Sequence, residues 1–217
     1  IRWQAEIPGR GHSSPTVVGD RVFLTTADET KQTQHVLCFD RSTGDVLWNK
    51  EIYQGNFDHN NKKNSFASSS VSCDGQQIYT SFFRDKKIFT VALTLKGELM
   101  WEHVYSGFAS HQGFGSSPLV YKEMVILAAD NKAEGGGLLS AVNRQSGKVI
   151  WETPRPKCPN YVSPTIYRLN GRDELLMAGC KIIASYNPDT GKPNWKYDGT
   201  TEEVVGNVAT DGKYIFA

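Results

Sequence analysis

The sequence has no excess of charge of either sign. Its 217 residues carry 24 Lys and Arg against 23 Asp and Glu, and like charges occur in pairs such as Lys62 and Lys63 rather than in longer runs. Without a basic patch there is little to attract a phosphate backbone, so no nucleic-acid partner is expected. An apolar run of the roughly 20 residues that span a bilayer is also missing, so we expect no membrane-spanning segment.

Cysteine is scarce. The four cysteines are never adjacent, and neither a Cys-x-x-Cys nor a His-x-x-x-His spacing occurs. Zinc sites in proteins use such spacings. We therefore expect no metal site within this chain.

Tryptophan is rare but regularly placed. A glycine lies four residues before four of the five tryptophans, and successive tryptophans are 44 to 53 residues apart. A period of about 40 to 50 residues, with strand-turn-strand content and no helical periodicity, predicts a β-propeller with four strands to a blade. The residues concerned are Trp3, Trp48, Trp101, Trp151 and Trp195, with Gly44, Gly97, Gly147 and Gly191.

Each repeat has two recognisable halves. The first is a strand with a Ser-Ser-Pro-like start and a tight turn, as in residues 13–24, and the second runs through a polar turn at 40–44 to Trp48. These halves predict an all-β chain that forms a single propeller domain over 1–217. Complete blades are expected at 13–52, 67–105, 115–153 and 162–197, with partial blades at 1–8 and 204–217. In the first partial blade, Ile1 to Ile7 is expected to form the outermost strand.

The second half of the repeat resembles a known motif. Ala-x-Asp-x-x-Thr-Gly-x-x-x-Trp, approximated by Cys38 to Trp48, resembles the tryptophan-docking repeat of the pyrroloquinoline-quinone-like (PQQ-like) β-propellers, and the resemblance covers the whole chain. It implies that the Gly and Trp of each repeat dock neighbouring blades and that the blades are part of a ring of seven or eight. Four blades that stayed open would expose sheet edges, which is unfavourable for a free monomer. The alternative is that the four blades close into a ring by themselves.

The repeats depart from this motif at its Asp position. Aligned on the Gly and Trp, that position holds Asp40, Leu93, Asn143 and Asn187. A leucine cannot hydrogen-bond its own turn as an aspartate does. We therefore expect the second blade to have the loosest turn.

Long polar loops are predicted at one end of the blades, where an outer strand crosses to the next inner strand. This end, the loop face, is where propellers commonly bind ligands. Its polar side chains indicate a pocket for a small ligand, an acid-base step or a partner, or they are solvated and cap neighbouring turns. The candidates are His12, His59, Asn64, His111, Gln112, Asn160, Tyr161 and Glu202.

Two cysteines are expected on the loop face. Cys158 precedes the fourth blade and Cys180 lies in a tight turn of that blade, so we hypothesise a disulfide between them. Cys38 and Cys73 are expected to be free thiols.

The PQQ-like family includes quinoprotein alcohol and aldose dehydrogenases and non-catalytic members, such as a propeller lipoprotein that helps to assemble outer-membrane proteins. The alcohol dehydrogenase branch uses a Trp floor under the quinone, two adjacent cysteines, a calcium ion held by acidic and amide side chains, and an Asp base. This sequence has no adjacent cysteines, and its tryptophans belong to the repeat. We therefore expect a non-catalytic scaffold without a cofactor, located in the periplasm or outside the cell, that binds a protein or a small polar ligand. A fragment of a dehydrogenase using PQQ and calcium is the alternative.

Overall fold

The structure is a computed structural model that describes residues 1–57 and 61–217. Its described part contains β-strands and no helix. The chain divides into two compact units. Unit 1 comprises Ile1–Tyr105 and His111–Ser117, and unit 2 comprises Ser106–Ser110 and Pro118–Ala217.

Unit 1 contains two four-stranded antiparallel sheets, each with its strands in chain order. The middle strands of both sheets carry near-continuous runs of buried residues, so both of their faces pack against protein. The first sheet consists of β1 (Thr16–Val18), β2 (Arg21–Asp28), β3 (Thr33–Asp40) and β4 (Val46–Gln54), and the second of β5 (Ser72–Cys73), β6 (Gln77–Arg84), β7 (Lys87–Thr94) and β8 (Leu99–Gly107).

Unit 2 repeats this arrangement and adds a two-stranded sheet. Its first sheet consists of β9 (Leu119–Tyr121), β10 (Met124–Ala129), β11 (Gly137–Asn143) and β12 (Val149–Arg155). Its second consists of β13 (Thr165–Leu169), β14 (Arg172–Gly179), β15 (Ile182–Tyr186) and β16 (Pro193–Asp198), and β17 (Ala209–Thr210) pairs with β18 (Ile215–Phe216).

The core of each unit lies between its sheets. In unit 1, Phe23 and Val36 of the first sheet pack in one cluster with Phe82, Phe89 and Leu93 of the second. Unit 2 has a matching cluster built from β10, β11, β14 and β15. Because each fully buried large apolar side chain contributes about 1.5–3 kcal/mol, these clusters supply most of the stability of a unit.

The Gly–Trp pairs of the sequence make a recurrent contact. The indole N–H groups of Trp3, Trp48 and Trp151 donate to the main-chain carbonyls of Arg41, Leu95 and Pro188 at 2.8, 3.1 and 3.1 Å, each in a turn of the following sheet. The ring of each tryptophan lies against the glycine of that same turn. A Cβ atom built on Gly44, Gly97 or Gly191 would come within 2.5, 3.0 or 2.4 Å of a ring atom, and the φ angles of these glycines are +82°, +85° and +70°.

Trp195 makes a different contact. Its indole N–H donates to Glu174 Oε2 within its own sheet at 2.6 Å, and Ser185 Oγ donates to the same oxygen at 2.6 Å. Burial alone would raise the pKa of Glu174, but the hydrogen bonds from Ser185, Arg172 and Trp195 outweigh it and lower the pKa. Trp101 is buried against Tyr79, with the ring centroids 5.9 Å apart.

The serines of the inner strands make a second recurrent contact. The backbone N–H of Ser14 donates to Ser70 Oγ at 2.8 Å, and that of Ser70 donates to Ser117 Oγ at 2.9 Å. In unit 2, the N–H of Ser163 donates to Asn207 Oδ1 at 2.9 Å. Each of these residues lies two positions before the first strand of a sheet, so the contact repeats at equivalent positions.

The alignment that placed Leu93 at the Asp position of the turn is wrong. Leu93 is fully buried in the core, and Thr94 Oγ1 accepts the N–H groups of Lys96 and Glu98, both at 3.2 Å. The N–H of Gly97 bonds the carbonyl three residues back, whereas that of Gly44 bonds the carbonyl four residues back. The second turn is one residue shorter, which spacing from the Gly and Trp cannot reveal.

The expected strand at Ile1 to Ile7 is also absent. Residues 1–7 form no strand, and the first backbone pairing is the isolated bridge between Arg10 and Ala27. A strand is defined by its ladder of hydrogen bonds, and this segment is held instead by Trp3.

The Gly–Trp contact gives the first prediction. Gly191→Ala should destabilise the protein by about 2–4 kcal/mol, because the methyl group meets the Trp151 ring and the backbone is left-handed. The matched control is Gly171→Ala, where φ is +79° and nothing lies within 4 Å of the added Cβ, so that only about 1 kcal/mol of backbone strain is expected. Denaturant unfolding measures both, and equal losses would show that the ring contact contributes nothing.

Candidate functional site

In unit 1 the loop-face candidate Asn64 holds a turn together. Asn64 Oδ1 accepts the N–H of Ser65 at 2.8 Å and the hydroxyl of Ser68, while its Nδ2 donates to the carbonyl of Gln112. The side chain of Asn64 therefore ties its own turn to the segment that contains Gln112, as a turn cap does.

The candidate histidines of unit 1 include two that are exposed, His12 and His111. The backbone N–H of His12 donates to the carbonyl of Ala67 at 3.0 Å. His59 lies outside the described residues.

A buried amide beneath this loop escaped the sequence analysis. Gln34 Nε2 donates to the carbonyls of Phe66 and Phe83 at 2.8 and 3.2 Å, and the side chain is fully buried. Phe66 in turn stacks on Phe57, with the ring centroids 4.2 Å apart. Gln34 thus fixes the base of this loop. In the sequence, the sign of such a role is an amide residue within an otherwise apolar strand.

In unit 2 a network of buried polar groups forms the loop face. Arg155, at the end of β12, donates from Nε and Nη2 to the two carboxylate oxygens of Asp130 at 2.7 and 2.8 Å, and from Nη1 to Tyr186 Oη at 2.8 Å. The side chains of Arg155 and Asp130 are 0% and 2% exposed. Burial works to lower the pKa of Arg155, but Asp130 and Tyr186 raise it, so the guanidinium stays charged.

Asn160 completes the network. Its Nδ2 donates to Asp130 Oδ2 at 3.1 Å and to the carbonyl of Ala178 at 2.6 Å, and its Oδ1 accepts the N–H of Val204 at 3.1 Å. Gly179 is required beside it, since a Cβ atom there would lie 2.1 Å from Asn160 Oδ1. The sequence analysis selected Asn160 but missed Asp130, Arg155 and Tyr186, because an isolated acidic residue and an arginine 25 positions later give no local pattern.

The other two candidates of unit 2 lie at the margin of this network. Tyr161 Oη is 2.8 Å from Ser110 Oγ, and the N–H of Tyr161 donates to the carbonyl of Val204. Glu202 is exposed, with its carboxylate 3.9 Å from Lys181 Nζ, and its main-chain carbonyl accepts the N–H of Cys180 at 2.8 Å.

Cys158 and Cys180 are joined by a disulfide, with their Cα atoms 5.8 Å apart. Both residues are buried. The bond links the loop before β13, which also contains Asn160, to the tight turn between β14 and β15. Cys38 and Cys73 are free cysteines.

The buried carboxylate and amide of unit 2 do not fit a calcium site. The carboxylate of Asp130 and the amide of Asn160 are adjacent, but both oxygens of Asp130 are held by the guanidinium of Arg155, which would repel a cation. The indole N–H groups of Trp3, Trp48, Trp151 and Trp195 are all donated within the protein.

Within 1–57 and 61–217, no three His, Cys, Asp or Glu side chains are grouped so that they could hold a metal ion. The same part of the chain contains no helix with the length and hydrophobicity needed to cross a membrane.

The buried ion pair gives the second prediction. Asp130→Asn should cost about 3–5 kcal/mol of unfolding free energy, because it leaves the Arg155 charge buried without its counter-ion. Glu123→Gln is the control, since Glu123 is 67% exposed in its pair with Arg144 and the loss should be about 0–1 kcal/mol. Urea unfolding compares them, and a loss below about 1 kcal/mol for Asp130→Asn would contradict a structural role for the network.

Comparison with known proteins is consistent with this architecture. A family model described as "Outer membrane protein assembly factor BamB" matches residues 1–111 and 32–217. A polyvinylalcohol dehydrogenase from Pseudomonas sp is 26% identical over 183 residues, which cover 78% of this chain and 26% of that protein. The chain therefore spans about a quarter of the length of this curated relative.

Two solved structures resemble the chain in fold. The quinohemoprotein alcohol dehydrogenase from Comamonas testosteroni has a TM-score of 0.65 at 16% identity, with 94% of this chain and 39% of that chain covered. Quinohemoprotein alcohol dehydrogenase ADHIIG from Pseudomonas putida HK5 has a TM-score of 0.63 at 16% identity, with 93% and 36% covered. Together with the four-stranded sheets, these similarities confirm the predicted β-propeller architecture. Because the family model matches along the whole chain, the protein belongs to the PQQ-like β-propeller family described as outer membrane protein assembly factor BamB.

Proposed function

We propose that this chain is part of a non-catalytic PQQ-like β-propeller that acts as a protein-interaction scaffold in the cell envelope. The observation that carries the proposal is that the buried polar groups of the loop face form their hydrogen bonds and ion pair with one another. The side chains of Asp130, Arg155 and Asn160 bind each other and the carbonyl of Ala178 in unit 2. A general acid or base must instead reach a reacting group.

The exposed loop-face residues suit contact with another protein. His12 and His111 in unit 1 and Glu202 in unit 2 are exposed. Such polar and charged side chains are typical of the solvent-accessible rim of an interface, while aromatic and apolar side chains dominate its centre. The partner would therefore be held by a polar, salt-sensitive contact.

Two observations support an envelope location. The disulfide between Cys158 and Cys180 is of a kind that persists in oxidising compartments such as the bacterial periplasm. The description of the matching family names outer membrane protein assembly. On this basis we propose a protein partner among the components or substrates of that assembly.

A second candidate function is favoured by one observation, the 26% identity to polyvinylalcohol dehydrogenase over most of the chain. In that case the chain would supply structural blades to a PQQ- and calcium-dependent dehydrogenase. The quinone and calcium would be held by residues other than the buried network of unit 2, which does not fit them.

Site-specific photo-crosslinking in the full-length protein in its native host tests the scaffold function. A photo-reactive amino acid is placed at His12, His111 or Glu202 on the loop face, and at the exposed controls Ser42, Gln76 and Gln145 in turns at the opposite end of the sheets. We expect crosslinks to a partner protein from loop-face positions and none from the controls.

The dehydrogenase alternative has its own readout. The purified full-length protein is supplied with PQQ, calcium and an alcohol, and reduction of an artificial electron acceptor is followed. The scaffold proposal predicts no reduction above the rate without protein. Cofactor-dependent reduction, or equal crosslinking at both ends of the sheets, would overturn it.

A further inference from the structure

The turns of unit 2 enclose a cleft at the end opposite the loop face, here called the turn cleft. Its volume is about 270 Å³. It is lined by the β9–β10 turn, the β13–β14 hairpin and the β15–β16 turn, through Tyr121, Lys122, Arg168, Arg172, Asp173 and Asp189. Neither the repeat motif nor the proposed scaffold function accounts for this concentration of charge.

The β13–β14 hairpin is longer than its counterparts. The hairpins can be compared by counting residues between equivalent cross-strand pairs of their inner two strands. Eight residues run from Thr16 to Phe23, from Ser72 to Tyr79 and from Leu119 to Ile126, but twelve run from Thr165 to Leu176. The four additional residues extend the hairpin by two residue pairs, Arg168 with Asp173 and Leu169 with Arg172. Three charged residues of the cleft therefore come from an extension that the fold does not require.

Lys122 is a second departure from the repeat. It occupies the β9–β10 turn with φ of +52°, a left-handed conformation that is unfavourable for a residue with a side chain. The corresponding residues of the other two-residue turns are Gly19 and Asn170, with φ of +59° and +49°, and glycine and asparagine adopt this conformation more readily than lysine does. Unfavourable backbone conformations are retained mostly where a side chain serves a function.

The carboxylates of the turn cleft are already neutralised. Lys122 Nζ donates to both oxygens of Asp189 at 2.7 and 3.0 Å. This hydrogen bond raises the pKa of Lys122, so the amine stays charged. Asp173 accepts Tyr121 Oη at 2.8 Å and Arg168 Nη1 at 3.1 Å.

The two arginines keep unused donors. Arg172 bonds Glu174 through Nε at 2.9 Å, and Arg168 bonds Asp173 through Nη1. Among the described residues, no other hydrogen bond is made by either guanidinium group. Their side chains are 59% and 69% exposed, so each can still present two N–H-bearing nitrogens to a ligand.

We propose that the turn cleft binds a small hydroxylated carboxylate, such as a sugar acid. The free edges of the guanidinium groups match the two oxygens of a carboxylate. The carboxylates of Asp173 and Asp189 and the side chain of Asn187, which also line the cleft, accept hydrogen bonds from ligand hydroxyls. The volume lies just below the range of about 300 to 1,000 Å³ for drug-sized ligands, which suits a single small molecule.

Calorimetric titration of the whole protein with D-glucuronate tests this site, with D-glucose and inorganic phosphate as comparison ligands. Glucose lacks the carboxylate, and phosphate lacks the hydroxyls. We expect saturable binding of glucuronate, at least tenfold weaker binding of both comparison ligands, and a tenfold or greater loss in Arg168→Gln and Arg172→Gln, since a hydrogen bond to a charged group contributes about 1.5–3 kcal/mol. Lys196→Gln removes one exposed positive charge from β16 of the same sheet and should bind as the wild type does.

Lys122→Gly separates binding from folding. Glycine relieves the left-handed backbone at this turn, and the exposed ion pair that is lost contributes little, so the melting temperature should stay the same or rise. Glucuronate affinity should nevertheless fall several-fold, because Asp189 loses the cation that neutralises it beside the ligand. Glucuronate binding that is absent in the wild type, equalled by phosphate, or unchanged in Arg168→Gln, Arg172→Gln and Lys122→Gly would overturn the proposal.

Discussion

The contact on which the structure depends is an indole ring lying flat against a glycine in the turn of the next sheet. The glycine must be left-handed to close its turn and must lack a side chain to admit the ring, and Gly44, Gly97 and Gly191 meet both conditions. The indole N–H then satisfies a turn carbonyl that would otherwise need water. Packing, turn geometry and hydrogen bonding thus act on the same pair of residues. In unit 1 a second bond, from the N–H of Ser14 to Ser70 Oγ, ties the two sheets where their inner strands begin.

Because the sheets are joined by these recurrent contacts, the loops can differ between repeats. In unit 2 the loop face is held by buried polar groups and a disulfide, so the carboxylate of Asp130 and the amide of Asn160 are structural. The turn end of the same unit holds the features that the fold does not need, a lengthened hairpin and a lysine in a glycine-like conformation. Chemistry is therefore better sought where a repeat breaks its own pattern than where polar residues are merely abundant.

The sequence was sufficient for the fold because the Trp and Gly positions report directly on the repeat. It was insufficient for the second turn, where a missing residue moved Leu93 into the core and left Thr94 to cap the turn. The loop face was harder still. Asn160 could be selected as a polar loop residue, but its partners Asp130 and Arg155 come from other loops, and only the folded chain shows that they are buried together. The lengthened hairpin was visible in the sequence, whereas the left-handed turn at Lys122 was not.

The most direct test of the central contact is hydrogen–deuterium exchange of the indole N–H groups, followed by nuclear magnetic resonance of the whole protein. If the indoles pin neighbouring sheets, the Nε1–H protons of Trp3, Trp48 and Trp151 should exchange at least about a hundredfold more slowly than those of an unfolded peptide, as do protons that need an opening of the structure. Exchange of these three protons at the unfolded rate, while the strand amides around them stay protected, would show that the sheets hold together without the indole bonds and would contradict the account.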